Sequence, residues 1–198
     1  CCHAVSPSWT APLSVTPEEL EYQLRTMLRR GWRPATFANA VLEPSRENTF
    51  AVTFDDAFAS VLERAHPIMS GLEIPGTVFA PTAFMDERQL LRWPGIDHWQ
   101  DTPAARELWS MSWEDLRKLS DDGWEIGSHT CTHPRLPSLD DDALTDELER
   151  SREDIEQRLG IACRTVAYPY GEADERVADH ARAAGYSAGA VLSRRLFS

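Results

Sequence analysis

The sequence lacks any apolar run long enough to cross a bilayer, and it has no cluster of lysine and arginine. The first absence argues against a transmembrane helix, which needs about 20 consecutive apolar residues. The second argues against nucleic acid as a partner, because phosphate backbones are bound by basic patches. The chain of 198 residues instead carries a formal net charge of −12, and its acidic run at 140–142 is expected to be a solvated helix start.

Cysteine is also scarce, and its pattern excludes two common uses. Cys1, Cys2, Cys131 and Cys163 form no CxxC pair and no spacing typical of a disulfide framework. This usage favours a reducing compartment, so we expect a cytoplasmic protein. No signal-peptide pattern is present, but the chain starts at Cys1 without methionine. A trimmed N-terminus, and with it a secreted or cell-envelope location, therefore stays open.

Short apolar runs alternate with amphipathic segments along the chain, whose length suits a single domain over residues 1–198. The apolar runs predict strands at 50–54, 77–80, 124–127, 165–168 and 187–192. The amphipathic segments predict helices from Thr16 to Gly31, from Ser112 to near Gly123, over 140–159 and over 175–184. Repeated strand–helix units predict an α/β fold with a mostly parallel sheet. An open doubly wound sheet and a closed or distorted barrel both fit this pattern.

Asp55 and Asp56 follow the predicted strand 50–54, in the segment TFDDA. In a parallel α/β fold the C-terminal ends of the strands are where functional sites assemble. Adjacent residues point in different directions, so one carboxylate could hold a metal while its neighbour reaches a water. A solvated strand end or a helix N-cap pair is the alternative interpretation, because aspartate also favours those positions.

His129 and His133 follow the predicted strand 124–127, in the segment GSHTCTHP. Two histidines four residues apart project to one side if the residues between them form a single helical turn. Such a pair is a common way to give one cation two imidazole ligands. Cys131 would then point away from the pair, which makes it a less favoured ligand, and a buried free thiol is its default interpretation.

A third segment, AYPYG at 167–171, also ends a predicted strand. Its proline and glycine predict a tight turn, whose backbone N–H could point into a site or could simply lead into the next helix. Two histidines and one carboxylate form a known catalytic zinc set, and a free carboxylate beside them can act as general base. If the three strand ends meet, the residues predict metal-assisted hydrolysis of an amide or an ester.

In this order, TFDDA, HTCTH and AYPYG resemble the motifs of the NodB-homology polysaccharide deacetylases, also called family-four carbohydrate esterases. The resemblance runs from about Phe50 to Leu192. It implies an α/β fold built as a distorted, incomplete (β/α) barrel of mostly parallel strands with outer helices. It also implies removal of N-acetyl groups from chitin, peptidoglycan or another carbohydrate that carries them.

The resemblance assigns roles to five residues. Asp55 matches the general base, and Tyr170 matches the residue whose backbone N–H helps to bind the oxyanion. Asp56, His129 and His133 match the metal ligands, with Zn²⁺ expected and Co²⁺ or Ni²⁺ as alternatives. The implied mechanism is attack of a metal-bound water on the acetyl carbonyl, with Asp55 taking the proton of that water.

Two positions depart from the family pattern. Ala167 stands where the family has an arginine that steadies the base, and Arg164 is close in sequence without matching that place. The late histidine that serves as general acid has no clear counterpart, because His180 falls inside the last predicted helix. However, CCHAV at the N-terminus resembles the opening YH-x-V strand of the circularly permuted branch, typified by poly-N-acetylglucosamine deacetylases, in which an early histidine substitutes. His3 is therefore the candidate general acid, and an ordered histidine with no role is the alternative.

Other functions stay open at this stage. The fold also hosts hydrolases of cyclic imides and small sugar conjugates, which a pocket shaped for one small ligand would favour over an open groove. A pseudoenzyme that binds glycan without cleaving it is the alternative from another class, and Ala167 keeps it open. The least regular stretch, 83–110, contains tryptophans that could stack on sugar rings or belong to the core. His66 and His98 match no motif and are expected to be structural or exposed. The oligomeric state is left open.

Overall fold

The computed structural model describes residues 1–192, and its centre is a parallel sheet. The strands are β1 (Ala4–Val5), β2 (Ser14–Val15), β3 (Arg33–Ala35), β4 (Thr49–Phe54), β5 (Gly76–Ala80), β6 (Glu125–Ser128), β7 (Thr165–Ala167) and β8 (Ala188–Ala190). The main sheet has the order β3-β4-β5-β6-β7-β8, and every neighbouring pair in it is parallel. The short strands β1 and β2 pair with each other, also in parallel.

Helices connect these strands along the outside of the sheet. They are α1 (Pro17–Arg29), α2 (Phe37–Leu42), α3 (His66–Ser70), α4 (Trp113–Asp121), α5 (Asp141–Leu159) and α6 (Glu175–Ala183). Thr16 and Ser112 begin α1 and α4 as the sequence predicts, each within a capping box, and Gly160 ends α5 in the left-handed conformation. Within residues 1–192, no helix is both long enough and apolar enough to span a membrane.

The strand order decides between the two folds that the sequence left open. A doubly wound sheet reverses its strand order at a switch point, whereas here each strand lies beside the next one in the chain. The six strands curl into a half-barrel with the helices around it, which confirms the predicted distorted and incomplete (β/α) barrel. β3 forms one edge of this sheet, and it tolerates Pro34 because an edge strand has an unpaired side.

The N-terminal ends of the strands are closed by α2, which packs on β4 and β8. The backbone N–H of Ala38 donates to Glu125 Oε2 at 2.8 Å, and Thr77 Oγ1 donates to the same oxygen at 3.0 Å. Thr165 Oγ1 donates to Glu125 Oε1 at 2.5 Å. One carboxylate therefore joins three strands to the first turn of a helix at this end of the barrel.

The apolar interior has two parts. The larger cluster fills the space between the sheet and its helices, with Phe54, Val78 and Leu116 fully buried. The smaller cluster lies under the stretch 83–110, and its buried members are Ala4, Trp9, Ala11, Phe58, Leu91, Trp93, Ile96 and Leu108. This stretch, which the sequence presents as an irregular loop, contains short 3₁₀ turns at Asp97–Trp99 and Pro103–Leu108. The second cluster therefore fixes a long connection against the barrel.

Candidate metal centre

The ends of β4, β6 and β7 bring the three sequence motifs to one pocket of about 460 Å³. Asp55 and Asp56 follow β4, His129 and His133 follow β6, and Tyr170 follows β7. All five residues line the pocket, and so does His3. The structure thus brings together all six residues for which the sequence predicts a chemical role, while those roles stay predictions.

Asp56, His129 and His133 form a compact and buried set of possible metal ligands. Asp56 Oδ1 lies 3.4 Å from His129 Nε2 and 3.3 Å from His133 Nε2. Ligands at zinc bond lengths of about 2.0–2.1 Å in a tetrahedron are separated by about 3.3–3.4 Å. Asp56 Oδ1 is buried and has no hydrogen-bond partner among the described residues. A buried carboxylate oxygen without a donor is costly, so these residues fit a bound cation.

Two contacts orient the histidine rings. His129 Nδ1 lies 2.8 Å from the carbonyl oxygen of Ala167. Because a carbonyl can only accept, Nδ1 carries a proton, which leaves Nε2 directed at Asp56 as the ring atom available to a cation. The His133 ring stacks on Trp93 with centroids 4.1 Å apart, and the Tyr170 ring meets it nearly edge-on at 4.8 Å. Backbone and aromatic packing thus set the direction of both imidazoles.

The segment that carries the histidines does not form the helical turn that was one condition for the two rings to project to one side. Thr130 and His133 have φ values of +66° and +61°, so the backbone turns through the left-handed region twice. Side-chain oxygens support this path: Ser128 Oγ accepts from the Thr130 N–H at 3.0 Å, and Thr130 Oγ1 accepts from the His133 N–H at 3.2 Å. The rings still converge, because the loop folds back on itself instead of coiling.

Cys131, between the two histidines, is buried and its thiol contacts Thr82 Oγ1 at 3.6 Å. It does not belong to the set of possible metal ligands. Burial raises the pKa of this thiol to about 11. It therefore stays protonated at neutral pH, as expected for a packed free cysteine.

The neighbouring carboxylates Asp55 and Asp56 have opposite pKa shifts. Burial raises the pKa of Asp55, although the His129 and His3 rings oppose that effect. Burial also acts to raise the pKa of Asp56, but its contacts with His129 and His133 outweigh burial and hold that pKa well below its ordinary value. Asp56 is thus ionised at neutral pH, as a metal ligand must be, and Asp55 is the stronger base.

The N-terminal segment reaches the site by pairing with the end of β4. The Cys2 N–H donates to the Thr53 carbonyl at 2.8 Å, and the Asp55 N–H donates to the Cys2 carbonyl at 3.0 Å. This pairing brings half-buried His3 into the pocket lining. The thiol of Cys1 lies 3.2 Å from Asp55 Oδ2.

The other residues weighed from the sequence lie elsewhere. The nearest carboxylate to the exposed Arg164 guanidinium is Glu43, at 3.9 Å, so Arg164 does not substitute for the arginine missing at Ala167. His180 is half-buried on α6, with Nδ1 3.0 Å from Thr145 Oγ1. His66 Nε2 lies 3.0 Å from Asp122. His98 lines the pocket, which no motif predicted.

Comparison with known proteins identifies the family. The polysaccharide deacetylase family model matches residues 43–189, which is more than half of the chain. The chain belongs to this family. This result confirms the family resemblance predicted from TFDDA, HTCTH and AYPYG.

Three relatives illustrate the likeness. A peptidoglycan-N-acetylglucosamine deacetylase of Bacillus cereus is 24% identical over 165 residues, covering 81% of this chain and 52% of that protein. A poly-β-1,6-N-acetyl-D-glucosamine N-deacetylase of Staphylococcus aureus is 25% identical over 128 residues, covering 61% of this chain and 39% of that protein. The structure of a de-N-acetylase from Aggregatibacter actinomycetemcomitans aligns with a TM-score of 0.80 and 18% identity, covering 98% of this chain and 87% of that one.

The chain spans about half or less of the length of these two curated relatives. The structural likeness, at an identity of 18%, concerns the fold alone. Membership of the family rests on the family model, which matches residues 43–189.

Proposed function

We propose that this protein is a metal-dependent hydrolase that removes an N-acetyl group from an amino sugar. The observation that carries the proposal is the buried set Asp56, His129 and His133, with a second carboxylate, Asp55, beside it in one pocket. Family membership supports the same reaction class.

The residues around the pocket suit the separate steps of amide hydrolysis. Asp55, whose pKa burial raises, accepts the proton of the attacking water. His3 faces the same pocket and protonates the leaving amine, which is a poor leaving group without a proton. The backbone N–H of Tyr170 donates to the developing oxyanion. Tyr170 lies in a turn with φ of +60°, an uncommon conformation for a residue other than glycine.

The metal in this proposal is a divalent ion held by Asp56, His129 and His133. When bound, such an ion supplies Lewis acidity toward the acetyl group. A carboxylate with two imidazoles is a donor set that suits Zn²⁺ first, and Co²⁺ or Ni²⁺ also accept it. The role of the chain is to hold these ligands at fixed separations and to keep Asp55 free as a base.

Acetate release from purified protein loaded with Zn²⁺, Co²⁺ or Ni²⁺ tests the proposal. The substrates are chitin oligomers, poly-N-acetylglucosamine oligomers, peptidoglycan fragments and small N-acetyl sugar conjugates. Asp55→Asn is expected to lower kcat by about 10²–10⁴-fold, because it removes the base. The same variant should retain its metal, since the ligands are untouched. Asp179→Asn, which changes an exposed carboxylate on α6, is the matched control and should behave like the unmodified protein.

A glycan-binding pseudoenzyme is the competing function, and Ala167 in place of an arginine beside the base is the observation that favours it. Metal-loaded protein that releases no acetate from any of these substrates, yet binds one of them equally well with Asp55→Asn, would support the pseudoenzyme and contradict the proposal.

A further inference from the structure

The pocket at the metal centre separates its polar and apolar lining. The possible metal ligands Asp56, His129 and His133 lie together at one side, whereas the exposed His98 ring lies beside Trp99 with centroids 4.9 Å apart. The remaining lining is largely apolar, with Pro12, Leu13, Trp93, Ile96, Trp99 and Leu192 as its main side chains. Among the described residues, this part of the lining offers few polar side chains for sugar hydroxyls. A ligand that matches it has an acetamide at one end and an apolar body at the other.

This apolar part of the lining, called the apolar wall below, is supported by buried aromatic residues. Trp99 packs edge-on against Trp9 with centroids 5.8 Å apart, and Trp9 meets Phe58 at 6.0 Å. Ile96 is only 2% exposed within the same cluster. A wall supported by buried aromatic residues is preformed, and a preformed apolar surface binds without a large ordering cost.

A hydrogen bond also joins two sides of the pocket. Tyr170 OH, from the loop after β7, donates to the Pro94 carbonyl in the stretch 83–110 at 3.2 Å. A polymer that enters and leaves the site needs a groove open at both ends. The volume of about 460 Å³ also lies in the range of about 300–1,000 Å³ typical of pockets for single small ligands.

Building on the proposed deacetylase function, we infer that this site prefers an N-acetylhexosamine that carries an apolar aglycone. An aryl or alkyl glycoside would place its acetamide at the carboxylates and imidazoles and its aglycone on the wall of Leu13 and Trp99. Internal units of an unsubstituted polymer are the poorer substrates.

Acetate release tests this preference with free N-acetylglucosamine, its 4-nitrophenyl and octyl β-glycosides, and chitin oligomers of increasing length. We expect kcat/KM to rise about tenfold or more from the free sugar to either glycoside, as the gain of apolar contact predicts. It should not rise further with oligomer length. A kcat/KM that grows with oligomer length and exceeds that of both glycosides would overturn the preference and leave the deacetylase function standing. Acetate release from no substrate would remove both proposals.

A pair of variants locates the preference in the pocket. Leu13→Asn places an amide on the apolar wall, whereas Leu90→Asn makes the same exchange at an exposed leucine outside the pocket lining. The ratio of kcat/KM for the octyl glycoside to that for the free sugar should fall about fivefold or more with Leu13→Asn only. If Leu13→Asn does not fold, Leu13→Ala serves in its place. An unchanged ratio in a folded Leu13 variant would contradict the assignment.

An independent observation concerns Glu147, a half-buried residue of α5. Its Oε2 accepts from the backbone N–H of Cys131 at 2.8 Å and from that of Thr132 at 2.9 Å. Its Oε1 accepts from Thr132 Oγ1 at 2.5 Å. The carboxylate of Glu147 thus holds Cys131 and Thr132, the two residues that lie between the positive-φ residues Thr130 and His133.

We propose that Glu147 is a positioning residue for the metal ligands. The loop from His129 to His133 has two residues at positive φ, so it does not hold its shape by local preference. Besides the hydrogen bonds of Ser128 and Thr130 within the loop, charge-assisted hydrogen bonds from Glu147 on α5 constrain it from outside. Removing them lets the two imidazoles move apart and weakens metal binding.

Zn²⁺ affinity measured by chelator competition tests this role without reference to activity. Glu147→Ala should raise the Kd for Zn²⁺ by about 10–100-fold, the usual effect of losing an outer-shell partner. Glu147→Gln keeps an acceptor oxygen, so its Kd for Zn²⁺ should lie between those of Glu147→Ala and the unmodified protein. Glu149→Gln, at an exposed site on the same helix, is the matched control and should leave the Kd unchanged. A folded Glu147→Ala protein, verified by its circular dichroism, with a Kd within threefold of the unmodified protein would overturn the proposal.

Discussion

Two adjacent aspartates at the end of β4 have opposite electrostatic environments. Asp55 is buried with few compensating partners, and its pKa is raised. Asp56 is just as buried but lies between two imidazoles, which lower its pKa. Neighbouring carboxylates with pKa values moved in opposite directions are typical of sites that divide labour between a base and an ionised group. Their opposite pKa shifts thus follow from the different surroundings of two adjacent side chains at a strand end.

His3 gives a prediction at the same scale. If it protonates the leaving amine, His3→Ala should lower kcat for N-acetyl sugar hydrolysis by about 10²-fold or more. The same variant should hydrolyse 4-nitrophenyl acetate within about fivefold of the unmodified rate, because nitrophenolate leaves without a proton. Parallel assays of acetate and nitrophenolate release measure both.

His98→Ala is the control for His3→Ala, since it removes an exposed imidazole from the same pocket lining. It should change both rates equally or not at all. Equal losses of amide and ester hydrolysis in His3→Ala would exclude the acid role, and unimpaired amide turnover would remove His3 from the mechanism.

Among the elements, β6 is closely packed against its neighbours at Gly127. A Cβ atom on Gly127 would lie 2.6 Å from the Phe79 ring and 2.7 Å from Thr165 Oγ1. Both neighbours are fully buried, so they have little room to move. Glycine at position 127 therefore leaves the space that the Phe79 ring and the Thr165 side chain occupy, just before the histidine loop begins.

Gly127→Ala is therefore expected to lower the free energy of unfolding by about 1–3 kcal/mol through overpacking. Gly71→Ala is the control, because a Cβ there would meet its nearest atoms at ordinary distances of 3.4–3.6 Å and the backbone has negative φ. Urea unfolding of both variants measures the difference. Equal stabilities for Gly127→Ala and the unmodified protein would show that the interior near Phe79 can adjust.

The sequence predicted long and strongly periodic elements and missed short ones. α1, α4 and α5 have caps and stripes that are visible in the sequence. The missed elements are only two to six residues long, which is too short for a periodic pattern to be recognised; they are β1, β2, β3 and α2. Whether the residues between His129 and His133 form a helical turn could not be predicted, because the positive φ values there depend on contacts from Ser128, Thr130 and α5. The contacts of Trp93 and Glu147 with this loop join distant parts of the chain and have no local signal.

At the scale of the whole molecule, the two ends of the barrel carry different groups of polar residues. The C-terminal ends of the strands carry the candidate metal centre, and the N-terminal ends carry the hydrogen bonds of Glu125 to α2, β5 and β7. In (β/α) barrels the first end is associated with activity and the second with stability. Substitutions at the two ends should therefore have separable effects.

Glu125→Ala tests this separation. Loss of its hydrogen bonds leaves the Ala38 N–H and the Thr165 hydroxyl without their acceptor, which should lower the free energy of unfolding by about 2 kcal/mol. The Kd for Zn²⁺ should stay within threefold, because the metal ligands lie beyond the other end of the strands. Glu43→Ala, which removes an exposed carboxylate 3.9 Å from Arg164, should change stability by less than about 0.5 kcal/mol. Denaturant unfolding and chelator competition on the same samples measure both properties, and a Zn²⁺ affinity that falls together with stability in Glu125→Ala would contradict the independence of the two ends.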